Sequence, residues 1–153
     1  MKLNNNTETE TPFPGAQTTV LVVEDNLDIA ELLCLILNES GFRTRHAATA
    51  AEGKLLALAE PLSAFVLDVD LPDSDGFQLC RWLKSNPTTS RTPVIFCTGR
   101  LNAMQDALAA GGVDCVAKPN EVMSLPLRIR QAIDGQENAN QRRSAADPGK
   151  EPL

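Results

Sequence analysis

The stretch TVLVV, Thr19 to Val23, is an unbroken apolar run, as expected of a strand buried on both faces of a parallel sheet. Behind it Ile29, Leu32, Leu33, Ile36 and Leu37 recur at helical spacing, and Gly41 closes that helix. FRTRHAA, from Phe42, predicts a second strand. Thr49 and Glu52 have capping-box spacing and open a helix carrying Leu55 and Leu58. AFVLDV, from Ala64, is a third strand, followed after Gly76 by a helix with Phe77, Cys80 and Leu83 on one face. PVIFCTG, from Pro93, predicts the fourth strand, after the turn-rich NPTTSRTP. A short helix over Asn102 to Ala110 ends at Gly111 and Gly112. VDCVA, from Val113, is the fifth strand, and a last helix shows Leu125, Ile129, Ala132 and Ile133 on one face.

Five strands alternating with five helices imply an open, doubly wound α/β sheet with right-handed crossovers. In such sheets ligands bind outside the carboxyl ends of the strands. The residues there are Glu24 and Asp25 after strand one, Asp68 after strand three, Thr98 after strand four and Lys118 after strand five.

Composition sets the boundaries. The chain has 153 residues, suited to one domain with tails. Met1 to Gln17 is rich in Asn, Thr, Glu and Pro and is expected to be a disordered arm. Residues 18–134 form the expected domain. Residues 135–153, almost without large apolar side chains, are expected to be a second disordered tail, too short for an effector domain. The formal net charge of −6 argues against direct binding to nucleic acid or to an anionic membrane. No apolar run approaches the ~18–20 residues that span a bilayer, and the N-terminus lacks the apolar core of a signal peptide. A cytoplasmic protein is the expectation. The four cysteines, Cys34, Cys80, Cys97 and Cys115, form no C-x-x-C pair and sit within apolar patterns, as buried thiols do.

The chemistry concentrates in FVLDVDLPDSDGF, Phe65 to Phe77, which crowds Asp68, Asp70, Asp73 and Asp75. Three carboxylates converging from Glu24, Asp25 and Asp68 require a cation. Hard oxygen ligands with open positions suit Mg²⁺. With Lys118 to offset charge and Thr98 to donate a hydrogen bond, the set fits phosphoryl transfer to Asp68 as an aspartyl phosphate.

VLVVEDN, FVLDVDLPDSDGF, PVIFCTG and CVAKP, in that order and spacing, resemble the signature segments of response-regulator receiver domains of two-component signalling. The resemblance implies the flavodoxin-like strand order 2-1-3-4-5. It also implies Asp68 as phosphoacceptor, Glu24 and Asp25 as the Mg²⁺-holding pair with Asp25 the more direct ligand, and the backbone carbonyl of Asp70 in the metal shell. Thr98 becomes the switch hydroxyl and Lys118 the contact to the phosphoryl group, followed by a Lys-Pro peptide that is cis in many relatives. The implied partners are a sensor histidine kinase or histidine phosphotransfer protein, and a downstream protein target. His46, near the end of strand two, is expected to be a surface residue away from the site. Asp73 and Asp75 are expected to form a turn and cap the third helix. Trp82 is expected to be partly exposed, and Arg142 and Arg143 solvated.

Three positions depart from the family. Cys115 stands where many receivers carry Tyr or Phe, so signalling is expected to run through loops beside Asp68 and Thr98 instead of an aromatic rotamer. Pro126 is tolerable only in a first turn, so the last helix should start near Ser124 or Leu125, or kink. Asn120 replaces a common Phe. Together they argue against the typical dimer of DNA-binding regulators. The expectation is a stand-alone receiver or phosphorelay shuttle that catalyses only its own phosphorylation and slow dephosphorylation. Two alternatives are a phosphorylation-independent interaction module with the same fold, and a phosphatase of the haloacid dehalogenase type, whose D-x-D motif Asp68-x-Asp70 resembles.

Overall fold

A computed structural model describes residues 18–146. The expected N-terminal arm and residues 147–153 lie outside them. Five strands alternate with five helices: β1 (Thr19–Val23), α1 (Leu27–Glu39), β2 (Arg43–Ala47), α2 (Ala50–Ala59), β3 (Ala64–Leu67), α3 (Gly76–Ser85), β4 (Val94–Thr98), α4 (Met104–Ala109), β5 (Asp114–Ala117) and α5 (Leu125–Ala146). All neighbouring strands are parallel, in the order β2-β1-β3-β4-β5. This is the flavodoxin-like arrangement, with strand order reversing between β1 and β3.

Alternate residues of the buried strands feed two cores. Leu21, Val23, Phe65, Leu67, Val94 and Phe96 pack beneath α2, α3 and α4. Val20, Val22, Val66, Ile95 and Val116 pack beneath α1 and α5 with Leu33, Leu37, Leu125 and Ile129. Helix α1 stops at Gly41, whose φ of 96° needs no Cβ, with Phe42 N–H reaching back to the Leu37 carbonyl. Helix α4 starts later than expected, at Met104, because Asn102 takes the left-handed backbone (φ 58°).

Helix α2 buries its small residues. It seats Ala50, Gly53 and Ala57 against the sheet, while Leu55 and Leu58 are 72% and 50% exposed. Gly53 allows this close seat: a Cβ there would sit 3.2 Å from Val23 Cγ2. Pro126 lies in the first turn of α5, which starts at Leu125 after a 3₁₀ turn at Val122–Ser124. The expected disordered tail is corrected in part, because α5 continues through residues 135–146. Those residues lack a large apolar face but are mostly good helix formers, and they extend a helix already nucleated by packing at Leu125 and Ile129. Arg142 and Arg143 are exposed on it.

Candidate functional site

Strand register builds the site. Val23 pairs with Ala47 on one side and Leu67 on the other, so Glu24 and Asp68 leave adjacent strands side by side. Glu24 N–H donates to the Ala47 carbonyl and Asp68 N–H to the Val23 carbonyl, both at 3.0 Å. Thr98 pairs with Ala117, and Lys118 N–H donates to the Thr98 carbonyl at 2.9 Å. The strand-end residues named from the sequence therefore share one edge of the sheet.

Glu24, Asp25 and Asp68 each offer a carboxylate oxygen, and these atoms lie within 4.8 Å of one another. Glu24 is 2% and Asp68 7% exposed, whereas Asp25 is exposed. Lys118 Nζ reaches into this cluster, 2.7 Å from Glu24 Oε1 and 3.4 Å from Asp68 Oδ2. Three carboxylates face one ammonium, so negative charge remains in excess. Both Glu24 oxygens are engaged, one by Lys118 and the other by Asn26 N–H at 3.1 Å. Burial raises the Glu24 pKa, opposed by Lys118 and by the Asn26 amide. Burial would lower that of Lys118, but its bond to Glu24 and the charge of Asp68 hold it above the ordinary value. The donor set fits Mg²⁺: hard oxygens only, with one ligand facing solvent. Both Glu24 oxygens are bonded and Asp68 Oδ1 accepts Val69 N–H, so the exposed Asp25 is the freest ligand, and Asp68 Oδ2, 3.4 Å from Lys118, is held more loosely than Glu24.

The buried Thr98 accepts from Arg100 N–H at 3.1 Å through Oγ1, which leaves its hydroxyl hydrogen to donate elsewhere. The Lys118-Pro119 peptide is cis. Cys115 is half-buried beside the core beneath α4. Gly76 lets α3 start directly under the phosphoacceptor loop, since a Cβ there would lie 2.1 Å from the Asp68 carbonyl oxygen.

Asp75 caps α3, accepting from Gln78 N–H at 2.8 Å, as expected. Asp73 acts on a different helix. Its two oxygens accept the N–H groups of Ala50 and Ala51, both at 2.9 Å, at the start of α2. Those two bonds lower its pKa. His46 is also corrected. It is half-buried, and its Nε2 donates to the Glu24 carbonyl at 2.7 Å. The β1–β2 register opposes Val22 to His46, which brings the ring beside the acidic pair. Sequence reasoning missed Arg100, whose Nη2 lies 2.6 Å from Asp70 Oδ1. Its signal was positional: Arg100 follows Thr98 by two residues, as Asp70 follows Asp68, and β3 and β4 are neighbours.

Comparison with known proteins agrees with this geometry. The family model of the response regulator receiver domain matches residues 20–130. The transcriptional regulatory protein GltR of Pseudomonas aeruginosa is 34% identical over 117 residues, 75% of this chain and 48% of that protein. The chain thus spans about half the length of that relative. Among solved structures, a CheY-like response regulator receiver domain protein from Methanospirillum hungatei JF-1 is 27% identical, with TM-score 0.73, covering 81% of this chain and 99% of that one. The receiver domain of sensor histidine kinase PA1611 from Pseudomonas aeruginosa PAO1, solved with a magnesium ion coordinated in its active-site cleft, is 28% identical. Its TM-score is 0.70, with 78% of this chain and 99% of that one covered. Among the described residues no helix is long and apolar enough to cross a membrane. The match over most of the described residues, joined to the parallel sheet and its acidic strand ends, makes this chain a member of the response regulator receiver domain family of two-component signalling.

Proposed function

We propose that the chain accepts a phosphoryl group onto Asp68 from a phosphohistidine on a sensor histidine kinase or histidine phosphotransfer protein. The observation that carries this reading is the Asp68 carboxylate, set within the acidic cluster and 3.4 Å from Lys118 Nζ. An oxygen of Asp68 attacks phosphorus and the bond to the donor nitrogen breaks. An ionised carboxylate needs no base. Mg²⁺, held by Asp25, Asp68 and the Asp70 carbonyl with Glu24 behind them, would offset charge on the transferring group. Lys118 and Thr98 stabilise the equatorial oxygens by charge and by a hydrogen bond. The magnesium ion in the PA1611 receiver supports this assignment. The chain's chemistry is then its own phosphorylation and slow dephosphorylation.

Output runs through binding of a protein partner, or through onward transfer as a phosphorelay shuttle. Exposed Leu101, Met104, Leu108, Met123 and Leu127 supply apolar contact surface for a partner. Intact mass after incubation with acetyl phosphate and Mg²⁺ tests the reading. One phosphoryl group should add, and none should add to Asp68→Asn or in the presence of a chelator.

Cys115 favours a second reading, an interaction module indifferent to phosphorylation, since a small thiol cannot fill and vacate the volume of a ring. A partner that binds wild type and Asp68→Asn equally would support it. The D-x-D phosphatase reading fits less well, because Arg100 engages the Asp70 carboxylate that would serve as its acid. Turnover of a small phosphomonoester, lost on changing Asp70, would revive it.

A further inference from the structure

The segment between β3 and α3 is stitched to itself and tethered on both flanks. Asp68 Oδ1 accepts Val69 N–H at 2.8 Å, Gly76 N–H donates to the Val69 carbonyl at 2.7 Å, and Asp70 bridges Asp75. One flank is tied by Asp70 to Arg100, on the loop that follows Thr98. The other is tied by Asp73 to α2, across more than twenty residues of sequence.

Helix α2 already has its own caps. Thr49 Oγ1 accepts Glu52 N–H at 3.0 Å, and Glu52 Oε1 accepts Ala48 N–H at 2.9 Å. What those local groups leave are the amides of Ala50 and Ala51, the first-turn donors that a helix cannot satisfy itself. Asp73 takes both, one per oxygen. A carboxylate at a helix N-terminus is also favoured by the helix dipole. The second tether matters because α2 is itself packed: Ala50, Gly53 and Ala57 are buried, and the two alanines join the core beneath the sheet. It gives the loop a packed element to hold to.

We infer that Asp73 is a positioning residue, which anchors the loop carrying the Asp70 backbone to α2 and thereby couples the state of the Asp68 site to the first turn of that helix. This inference rests on the receiver reading of Asp68. It places a path for the signal on the α2 side of the sheet, where no exchange of ring volume at Cys115 is needed. Asp73 lies outside the residues assigned to the metal and the phosphoryl group. It acts through the loop, as groups behind a metal's direct ligands do.

Titration of the full chain with Mg²⁺ by calorimetry, for wild type, Asp73→Ala and Asp73→Asn, tests the anchoring. Asp73→Ala should weaken Mg²⁺ binding about tenfold. Asp73→Asn should lie between, because an amide keeps one acceptor oxygen where the carboxylate has two. A role confined to capping α2 would lower the melting temperature of the metal-free variants and leave Mg²⁺ affinity unchanged, and that result overturns the inference. The coupling is read on wild type alone, which covers variants that fail to fold. In ¹H–¹⁵N spectra the amides of Ala50 and Ala51 should shift on adding Mg²⁺ and again on acetyl phosphate, while Ala48, held by Glu52, shifts less. If the intact mass rises and Ala50 and Ala51 stay in place, the inference fails and the receiver reading stands. If Mg²⁺ binds and no mass is added, the receiver reading fails and the affinities of the variants still decide the role of Asp73. A wild type that binds no Mg²⁺ removes both.

Discussion

Replacing Gly76 by Ala sets two effects of opposite sign against each other. At a helix start the change should stabilise, because Ala loses less chain entropy than Gly, by up to ~1 kcal/mol. The added Cβ, however, would stand 2.1 Å from the Asp68 carbonyl oxygen, 2.9 Å from its carbonyl carbon and 3.1 Å from Val69 Cα. A carbon and an oxygen settle at about 3.3 Å or more, so a gap of about 1 Å must open. Every atom in the way is backbone, and Val69 is fully buried. Opening the gap stretches the 2.7 Å bond from Gly76 N–H to the Val69 carbonyl. Overpacking costs about 1–3 kcal/mol and loss of a buried hydrogen bond about 1–3 kcal/mol. The clash should win by about 1–5 kcal/mol net, lowering Tm by about 3–15 °C in a domain of this size. Urea unfolding followed by circular dichroism measures the first quantity, and acetyl phosphate uptake by mass should fall with it, since the displaced group is the backbone of the phosphoacceptor. A Gly76→Ala protein within about 0.5 kcal/mol of wild type, close to the ordinary scatter for surface substitutions, would refute the steric argument.

The companion change Gly135→Ala, in the exposed part of α5 with nothing within 4 Å of its added Cβ, should instead stabilise by about 0.5–1 kcal/mol in the same assay. Lys118→Ala leaves Glu24 and Asp68 without their ammonium and should cost about 3 kcal/mol at neutral pH. That loss should shrink in acid, where the raised pKa of Glu24 lets it take a proton, and urea unfolding at two pH values checks both parts. Asp73 has a native pKa below its ordinary 3.8, so its stabilising contribution is present above that value and is lost as pH falls through the lower native value. The stability gap between wild type and Asp73→Asn should therefore narrow toward strong acid, and a gap that widens there would contradict the two amide bonds. Burial pushes the thiols of Cys80 and Cys97 up to about 11 and about 12, so a thiol reagent at neutral pH should label only the half-buried Cys34 and Cys115 until denaturant is added.

Much of this molecule is legible in its residues because its sheet is parallel. Strands buried on both faces read as plain apolar runs, and the rule that chemistry gathers at their carboxyl ends led directly to Glu24, Asp25, Asp68, Thr98 and Lys118. What escaped depends on the neighbours of each strand and helix. His46 looked remote because it lies 22 residues from Glu24, yet a parallel register lays their strand ends side by side. Asp73 read as a local turn residue because nothing in its own segment reveals that α2 begins within reach. Leu55 and Leu58 mark α2 in the sequence but do not tell which of its faces is buried. Gly53 and two alanines seat α2 so close that the larger side chains are left outside. The polar end of α5 looked like coil because apolar periodicity reports burial, and a solvated helix has none to report.

The distribution of functional groups over the sheet also bears on how this domain can be altered. Every residue assigned to phosphoryl chemistry stands at or beyond the carboxyl end of a strand. The opposite edge is held by backbone bonds, Ser63 N–H to the Thr19 carbonyl, Phe65 N–H to the Pro93 carbonyl and Val113 N–H to the Val94 carbonyl, and by side chains such as Lys84 on the Thr92 carbonyl and Arg128 on Asp114, none of them a residue assigned to that chemistry. The two edges can therefore be varied separately. Shortened loops, added prolines or a sensor peptide inserted at the amino edge should change robustness or readout and leave the reacting groups in register, which makes that edge the place to begin when the domain is built into a reporter.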